Sequence, residues 1–218
     1  MKNYTDTFRH KGLRQKLVTE LKTKGITNTA VLDAINNIPR HFFLDSAFDN
    51  IAYEDRAFPI GANQTISQPY TVAYQTQLLQ VKKGDRVLEV GTGSVYQATV
   101  LAYLGARIFT IERQKQLFDI NKSFVFKNQY PNLKFFYGDG FAGLPTYAPF
   151  DKVIITCGAP FVPPKLIEQM KVGGIMIIPV DEGETQRMIK IVKQEDGTYS
   201  EEKLDLFSFV PMLEGKNV

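Results

Sequence analysis

The sequence predicts an α/β fold: a doubly wound, mostly parallel, seven-stranded sheet with helices on both faces. An N-terminal helical extension precedes the sheet and a C-terminal antiparallel hairpin completes it. Three observations carry this. Between residues 86 and 179, short apolar runs alternate with helical patterns, as parallel crossover units do. The run Val87-Leu88-Glu89-Val90-Gly91-Thr92-Gly93-Ser94-Val95-Tyr96 reads as a buried strand, a glycine turn and a helix start. Three acids, Glu89, Glu112 and Asp139, stand at the ends of three successive predicted strands, where such folds bind ligands.

The elements follow in order. Residues 6–24 form a first helix closed by Gly25, with Leu13, Leu17, Val18 and Leu21 on its dry face. Its wet face carries Lys2, Arg9, Lys11, Arg14, Lys16, Lys22 and Lys24 against Asp6 and Glu20. Asn28 or Thr29 caps a second helix that ends before Pro39. Residues 39–66 are irregular, and so long an uncommitted stretch is usually functional. Ser67-Gln68-Pro69 opens a helix running to about Gln80. Strands are predicted near 86–90, 107–111, 133–137, 152–156 and 174–179, with helices near 95–104, 113–128 and 163–170. A final hairpin pairs 187–193 with 204–210 across Glu195-Asp196-Gly197-Thr198, adding an antiparallel edge.

Composition narrows the class. A hydrophobic fraction of 44% and a charged fraction of 22% are those of an ordinary soluble globule. No apolar run approaches the roughly 20 residues of a membrane span, and the first residues lack a secretory pattern. One cysteine, Cys157, excludes an internal disulfide. These point to a cytoplasmic protein; the expectation of a monomer or weak dimer does not rest on composition. The net charge of +3 is concentrated in the first helix, without aromatic-basic interleaving elsewhere, which argues against a nucleic-acid partner.

The glycine turn is the main chemical signal. A dinucleotide site uses glycines at the first, third and sixth positions. Tyr96 occupies the sixth here, and the Glu89 carboxylate would repel a diphosphate. S-adenosylmethionine, with an ammonium and a sulfonium, suits Glu89, Gly91, Thr92 and Gly93 better. Glu112 stands about 20 positions on, where a ribose partner is found. Asp139, beside Gly140, can accept from an adenine amino group. The alternatives are a glycine turn of any α/β protein and solvated loop acids. Ser67 precedes a helix, so its hydroxyl and the first N–H groups could hold a carboxylate; the alternative is an ordinary N-cap. His10 and His41 lack a partner motif, and no His/Asp couple or metal cluster is evident.

Several runs together resemble the protein-L-isoaspartate O-methyltransferases over nearly the whole chain. They are Ile38-Pro39-Arg40-His41-Phe42, Ala52-Tyr53-Glu54-Asp55-Arg56, Pro59-Ile60-Gly61 and Gln64-Thr65-Ile66-Ser67-Gln68-Pro69-Tyr70. The glycine loop, Gly138-Asp139-Gly140 and Phe209-Val210-Pro211-Met212 continue the likeness. The loop alone indicates only a class I methyltransferase; the Gln64–Tyr70 run is more specific, being the family's substrate-side motif. The resemblance implies a single methyltransferase domain over 1–218, with 1–80 a helical, substrate-side segment and 81–218 a Rossmann-like core. It implies methylation of the α-carboxylate of L-isoaspartyl residues in damaged proteins, with S-adenosylmethionine as co-substrate and no metal. The ester then collapses to a succinimide that reopens partly to aspartate. Ser67 matches the family's active-site hydroxyl, with Thr65 and Ile66 beside it at the substrate, and Cys157 becomes a small wall residue. One departure is Val95, where the family has glycine. A branched side chain there is costly if φ is positive, and is expected to crowd the donor's methionine end and weaken binding. Val95 therefore keeps open a degenerate, non-catalytic member that binds damaged protein or a partner. A class I methyltransferase for another carboxylate is the other alternative.

Overall fold

The computed structural model describes residues 4–124 and 128–217. Lys2 of the predicted wet face and residues 125–127 of the predicted helix over 113–128 lie outside the described residues. Helix α1 (Phe8–Thr23) is capped reciprocally by Thr7 and His10 and ends before Gly25 at φ +92. Its buried face is His10, Arg14, Leu17 and Leu21, spaced four, three and four apart. Arg14 is thus not on the wet face. Position on the helix decides, and the charge is neutralised in place. Its guanidinium donates to both Asp6 oxygens (2.7 and 2.8 Å), to Asn36 O (2.7 Å) and to Tyr53 Oη (3.0 Å).

Asn28 caps α2 (Thr29–Asn37), accepting from the Ala30 and Val31 N–H groups. Residues 39–66 are more ordered than the sequence suggests. They hold short 3-10 turns at Arg40–Phe43 and Ser46–Phe48, then the antiparallel pair β1 (Phe58–Gly61) and β2 (Gln64–Ile66). The turn between the strands places Ala62 and Asn63 at φ +49 and +54. Two successive left-handed residues suit a tight hairpin, but Ala-Asn is a weak sequence signal for one and Pro59 argues against a strand. Helix α3 (Pro69–Leu79) follows. Its N-cap is Gln68, without a side-chain cap, and not Ser67. The cap comes from far along the chain: the Asp55 carboxylate accepts from the Tyr70 N–H at 2.7 Å and pairs with Lys24 at 2.6 Å.

The wound core comprises β3 (Arg86–Val90), α4 (Tyr96–Tyr103), β4 (Arg107–Glu112), α5 (Lys115–Asn121) and β5 (Leu133–Tyr137). It continues with β6 (Phe150–Ile155), α6 (Pro164–Glu168), β7 (Met170–Glu182), β8 (Thr185–Lys193) and β9 (Tyr199–Phe207). The seven strands run in the order β5-β4-β3-β6-β7-β8-β9. Pairs up to β7 are parallel, and β7-β8 and β8-β9 are antiparallel. The hairpin's second strand begins at Tyr199 opposite Lys193, so the pairing predicted over 204–210 is displaced. The apolar run Leu204–Val210 suggested that span. The true edge strand opens with polar Ser200-Glu201-Glu202-Lys203, which faces solvent. A charged edge discourages pairing with another chain.

Alternation along the strands sends Val87, Ile108, Ile154 and Ile177 into one core with α1–α4. Leu88, Phe109, Val153 and Met176 enter a second core that includes Leu166 and Ile167 of α6. Both faces are therefore buried, as a parallel sheet requires. No helix among the described residues is long and apolar enough to cross a membrane. The order of strands reverses at β3, and the crevice at such a reversal is the expected ligand site. The Asp55 clasp generates a prediction. Its side chain is only 6% exposed, and hydrogen bonds to a charged group contribute about 1.5–3 kcal/mol. Asp55→Ala is expected to cost about 2 kcal/mol in urea unfolding; an unchanged midpoint would show that α3 needs no such cap.

Candidate active site

A cavity of about 530 Å³ lies at the carboxyl ends of β3 and β4, lined on one side by Gly91, Thr92, Gly93, Glu112 and Gly140 and on the other by Thr65, Ile66 and Ser67. The turn after β3 is held from several directions. The Gly91 and Thr92 N–H groups both donate to Ile111 O, at 3.0 and 3.3 Å. Gly91 sits at φ +99, and a Cβ there would lie 2.6 Å from Thr156 Oγ1. Only glycine avoids both the strain and the clash. The Asn121 amide donates to Gly93 O at 3.0 Å.

Glu112 closes this arrangement. One carboxylate oxygen accepts from the Gly93 N–H and the other from the Gln114 N–H, each at 2.8 Å. Burial pushes its ionisation up, and these N–H groups work against that shift. Each oxygen can accept more than one hydrogen bond, so the carboxylate can also receive a ribose diol. Val90, Ile111 and Met212 supply apolar wall for a base. This donor set fits an adenosyl group.

Two residues expected at the donor do not line the cavity. Glu89 is fully buried and does not line the cavity. It shares the strand face of Val87, opposite Thr110, and points into the core. Neither carboxyl oxygen has a hydrogen-bond partner of good geometry. Burial pushes its ionisation up to about 8, opposed by the Thr110 hydroxyl and assisted by the Glu112 charge. The group is therefore mostly neutral at pH 7, and repulsion of a diphosphate is not how the loop discriminates. Asp139 is also absent from the wall. Its carboxylate accepts from the Phe141 N–H at 2.9 Å and caps the turn, leaving Gly140 at the cavity.

Ser67 stands at a junction. A second cavity of about 490 Å³, lined by Tyr70, Phe207 and Phe209 among others, shares Thr65, Ser67, Thr156 and Val210 with the first. The helix start does not join Ser67 as a carboxylate holder at Tyr70, because Asp55 already takes that N–H. Cys157 is a wall residue, as its neighbourhood suggests. Burial pushes its thiol up to about 12, which disfavours the thiolate a nucleophile needs.

Val95 does occupy the left-handed region, at φ 72 and ψ 0. For a branched residue this is real strain, of order 1–3 kcal/mol. Its side chain, however, is fully buried in the apolar core and does not line the cavity. The expected crowding of the donor is thus not what the valine does. Replacing it with glycine would exchange strain for lost packing.

The sequence reading missed the cavity's roof. Gly158 N–H donates to Val210 O at 2.8 Å and Met212 N–H to Gly158 O at 2.6 Å. Further on, Asn217 N–H donates to Arg113 O at 2.8 Å and Asn217 O accepts from Lys115 N–H at 2.9 Å. These contacts bring Met212, Leu213 and Asn217 to the cavity. Residues 213–217 have no periodicity that would announce this. The histidines also have partners that spacing does not reveal. Their rings lie 3.9 Å apart; His10 meets Asp49 at 3.1 Å and His41 meets Tyr53 Oη at 2.6 Å. Asp6, His10 and His41 are close enough to suggest a metal site, but both Asp6 oxygens are engaged by Arg14. The cluster ties α1 to the segment after α2, and neither histidine lines the donor cavity.

Glu89 yields a pH prediction. A carboxyl with raised folded-state ionisation keeps a proton that the unfolded chain has released. Its effect is that stability falls as pH rises from 4.5, its ordinary value, to about 8. Glutamine removes that slope. The stability of Glu89→Gln relative to the parent should therefore grow by roughly a few kcal/mol between about pH 5 and pH 8. Urea unfolding of donor-free protein measures it; a constant difference would mean an ionised carboxylate at this site.

Comparison with known proteins bears on this geometry. The family model described as Protein-L-isoaspartate(D-aspartate) O-methyltransferase (PCMT) matches residues 12–217. A Protein-L-isoaspartate O-methyltransferase of Christiangramia forsetii is 53% identical over 212 residues, covering 97% of this chain and 99% of that relative. A solved protein-L-isoaspartate O-methyltransferase superposes with a TM-score of 0.82 at 28% identity, covering 91% of this chain and 65% of the other. A Plasmodium falciparum structure in complex with S-adenosyl-L-homocysteine shares the fold, with a TM-score of 0.78 at 24% identity and coverage of 94% and 98%. Matched along nearly its whole length, the chain belongs to the protein-L-isoaspartate(D-aspartate) O-methyltransferase family.

Proposed function

We propose that this chain is a repair methyltransferase acting on the α-carboxylate of L-isoaspartyl residues in damaged proteins. The observation that carries the reading is the junction at Ser67, where a cavity suited to an adenosyl group meets a second, partly aromatic cavity. S-adenosylmethionine supplies a sulfonium-bound methyl group for in-line displacement. In this reading Glu112 accepts from the ribose hydroxyls, while the turn Gly91-Thr92-Gly93 and Gly140 shape the donor wall. Thr65, Ile66 and Ser67 face the acceptor, and the Ser67 hydroxyl donates to its carboxylate. That carboxylate is already ionised at neutral pH, so no strong base is needed. Alignment and removal of water from the nucleophile supply the catalysis. In this reading Glu89 is a core residue behind the turn and Asp139 caps the turn after β5, so neither is assigned a donor contact.

The same reading has the enzyme acting in the cytoplasm as a monomer or weak dimer, on protein and not nucleic acid. The modest net charge of +3 and single cysteine support it. Val95 faces the core and leaves the donor cavity clear, which favours a catalytic member over a non-catalytic one.

Transfer of labelled methyl to an isoaspartyl peptide, with its aspartyl counterpart as control, tests the proposal. The isoaspartyl peptide alone should be methylated; equal labelling of both would contradict it. Ser67→Ala should lower turnover about 10–100-fold, since a hydrogen bond to a charged group contributes about 1.5–3 kcal/mol. Its affinity for S-adenosylhomocysteine should change little, and wild-type turnover would remove Ser67 from the mechanism.

A further inference from the structure

Arg40 is among the largest fully buried side chains of the described residues, and its exposure is 0%. Burial pulls its ionisation down to about 10, which still leaves a cation at neutral pH. Burying a charge is costly unless it is compensated, and among the described residues none of its hydrogen bonds goes to a carboxylate. Instead the guanidinium gathers backbone carbonyls. Nε donates to Ala52 O at 3.1 Å, and Nη2 donates to Ser67 O at 2.8 Å, with Arg56 O at 3.4 Å. Nη1 has no partner among the described residues. The guanidinium carbon lies 5.0 Å from the centre of the Tyr96 ring.

The placement of these partners is informative. Ala52, Arg56 and Ser67 belong to the segment that brings the acceptor side to the cavity. Tyr96 begins α4, directly after the glycine turn, and lines the donor cavity. One rigid, planar group therefore spans the two halves of the site. Filling space would need only an apolar side chain, and satisfying one carbonyl would need only a neutral donor. Gathering carbonyls while lying over a ring suits the fork and delocalised charge of arginine, which lysine lacks.

Resting on the functional reading above, we infer that Arg40 is a positioning residue: it fixes Ser67 against the donor turn and so sets the line between acceptor carboxylate and methyl group. Misplacement of reacting groups by about 1 Å can cost a hundredfold in rate. A role through Ser67 also predicts coupling between the two residues.

The test compares four proteins on the isoaspartyl peptide: the parent, Arg40→Lys, Ser67→Ala and the double variant. Arg40→Lys should lower kcat about tenfold to a hundredfold while affinity for S-adenosylhomocysteine, read by calorimetry, stays within about threefold. In the double variant the losses should fail to multiply, because the hydroxyl that Arg40 aims is already gone. Unchanged kcat in Arg40→Lys, or multiplying losses, overturns the inference and leaves the enzyme assignment standing. Arg40→Gln, which keeps an amide donor without a charge, is the second variant if lysine unfolds the protein. If both variants are unfolded by circular dichroism, Arg40 is a stability residue only and the inference fails. A parent protein that does not methylate the peptide overturns the functional reading, and this inference with it.

Discussion

The Glu112 carboxylate is the constraint on which the donor half of the site depends. It ends β4, yet it binds the Gly93 N–H of the turn after β3 and the Gln114 N–H beyond its own strand. Two loops are thereby fixed to one group before any ligand arrives. Gln114 in turn accepts from the Asn217 amide at 2.5 Å, so the same point anchors the C-terminal roof. A buried carboxylate without partners would be costly. Here each oxygen is served by a backbone donor, and the remaining lone pairs are available to a diol. The turn itself tolerates little change, since Gly91 is pressed against Thr156.

The acceptor half is held by a different device. The segment after α2 is built of short turns and a two-stranded hairpin, and buried polar groups tie these to the rest of the fold. Arg40 collects its carbonyls, Asp55 caps α3, and the paired histidines with Tyr53 join it to α1. The two halves meet where Ser67, Thr65, Thr156 and Val210 separate the cavities.

The wound core was readable because its signals are local. Apolar runs of strand length, glycine punctuation and acids at strand ends set β3 to β7 and placed Glu112, Gly91, Thr92, Gly93 and Gly140 together. What failed to be readable depends on contacts distant in sequence. Arg14 looks exposed by its charge and is buried by its helix position, with Asp6 and Tyr53 as partners. The hairpin β1–β2 turns on Ala62-Asn63, which gives little warning of left-handed backbone. The strand β9 opens with polar residues because it is an edge, so only its apolar second half, with Leu204, Leu206 and Phe207, reads as strand in the sequence. Glu89 and Asp139 sit at strand ends, but alternation turns the first inward and a local N–H captures the second. For Val95 the sequence flagged the strained backbone correctly but misplaced the side chain, whose direction no spacing rule supplies.

Calorimetric titration with S-adenosylhomocysteine tests the central claim most directly, using the parent protein, Glu112→Gln and Glu112→Ala. The account predicts binding to the parent and a loss of roughly 2 kcal/mol or more in Glu112→Ala. Glu112→Gln, which keeps one acceptor, should fall between them. Affinity that is the same in all three proteins would contradict the donor site built on this carboxylate.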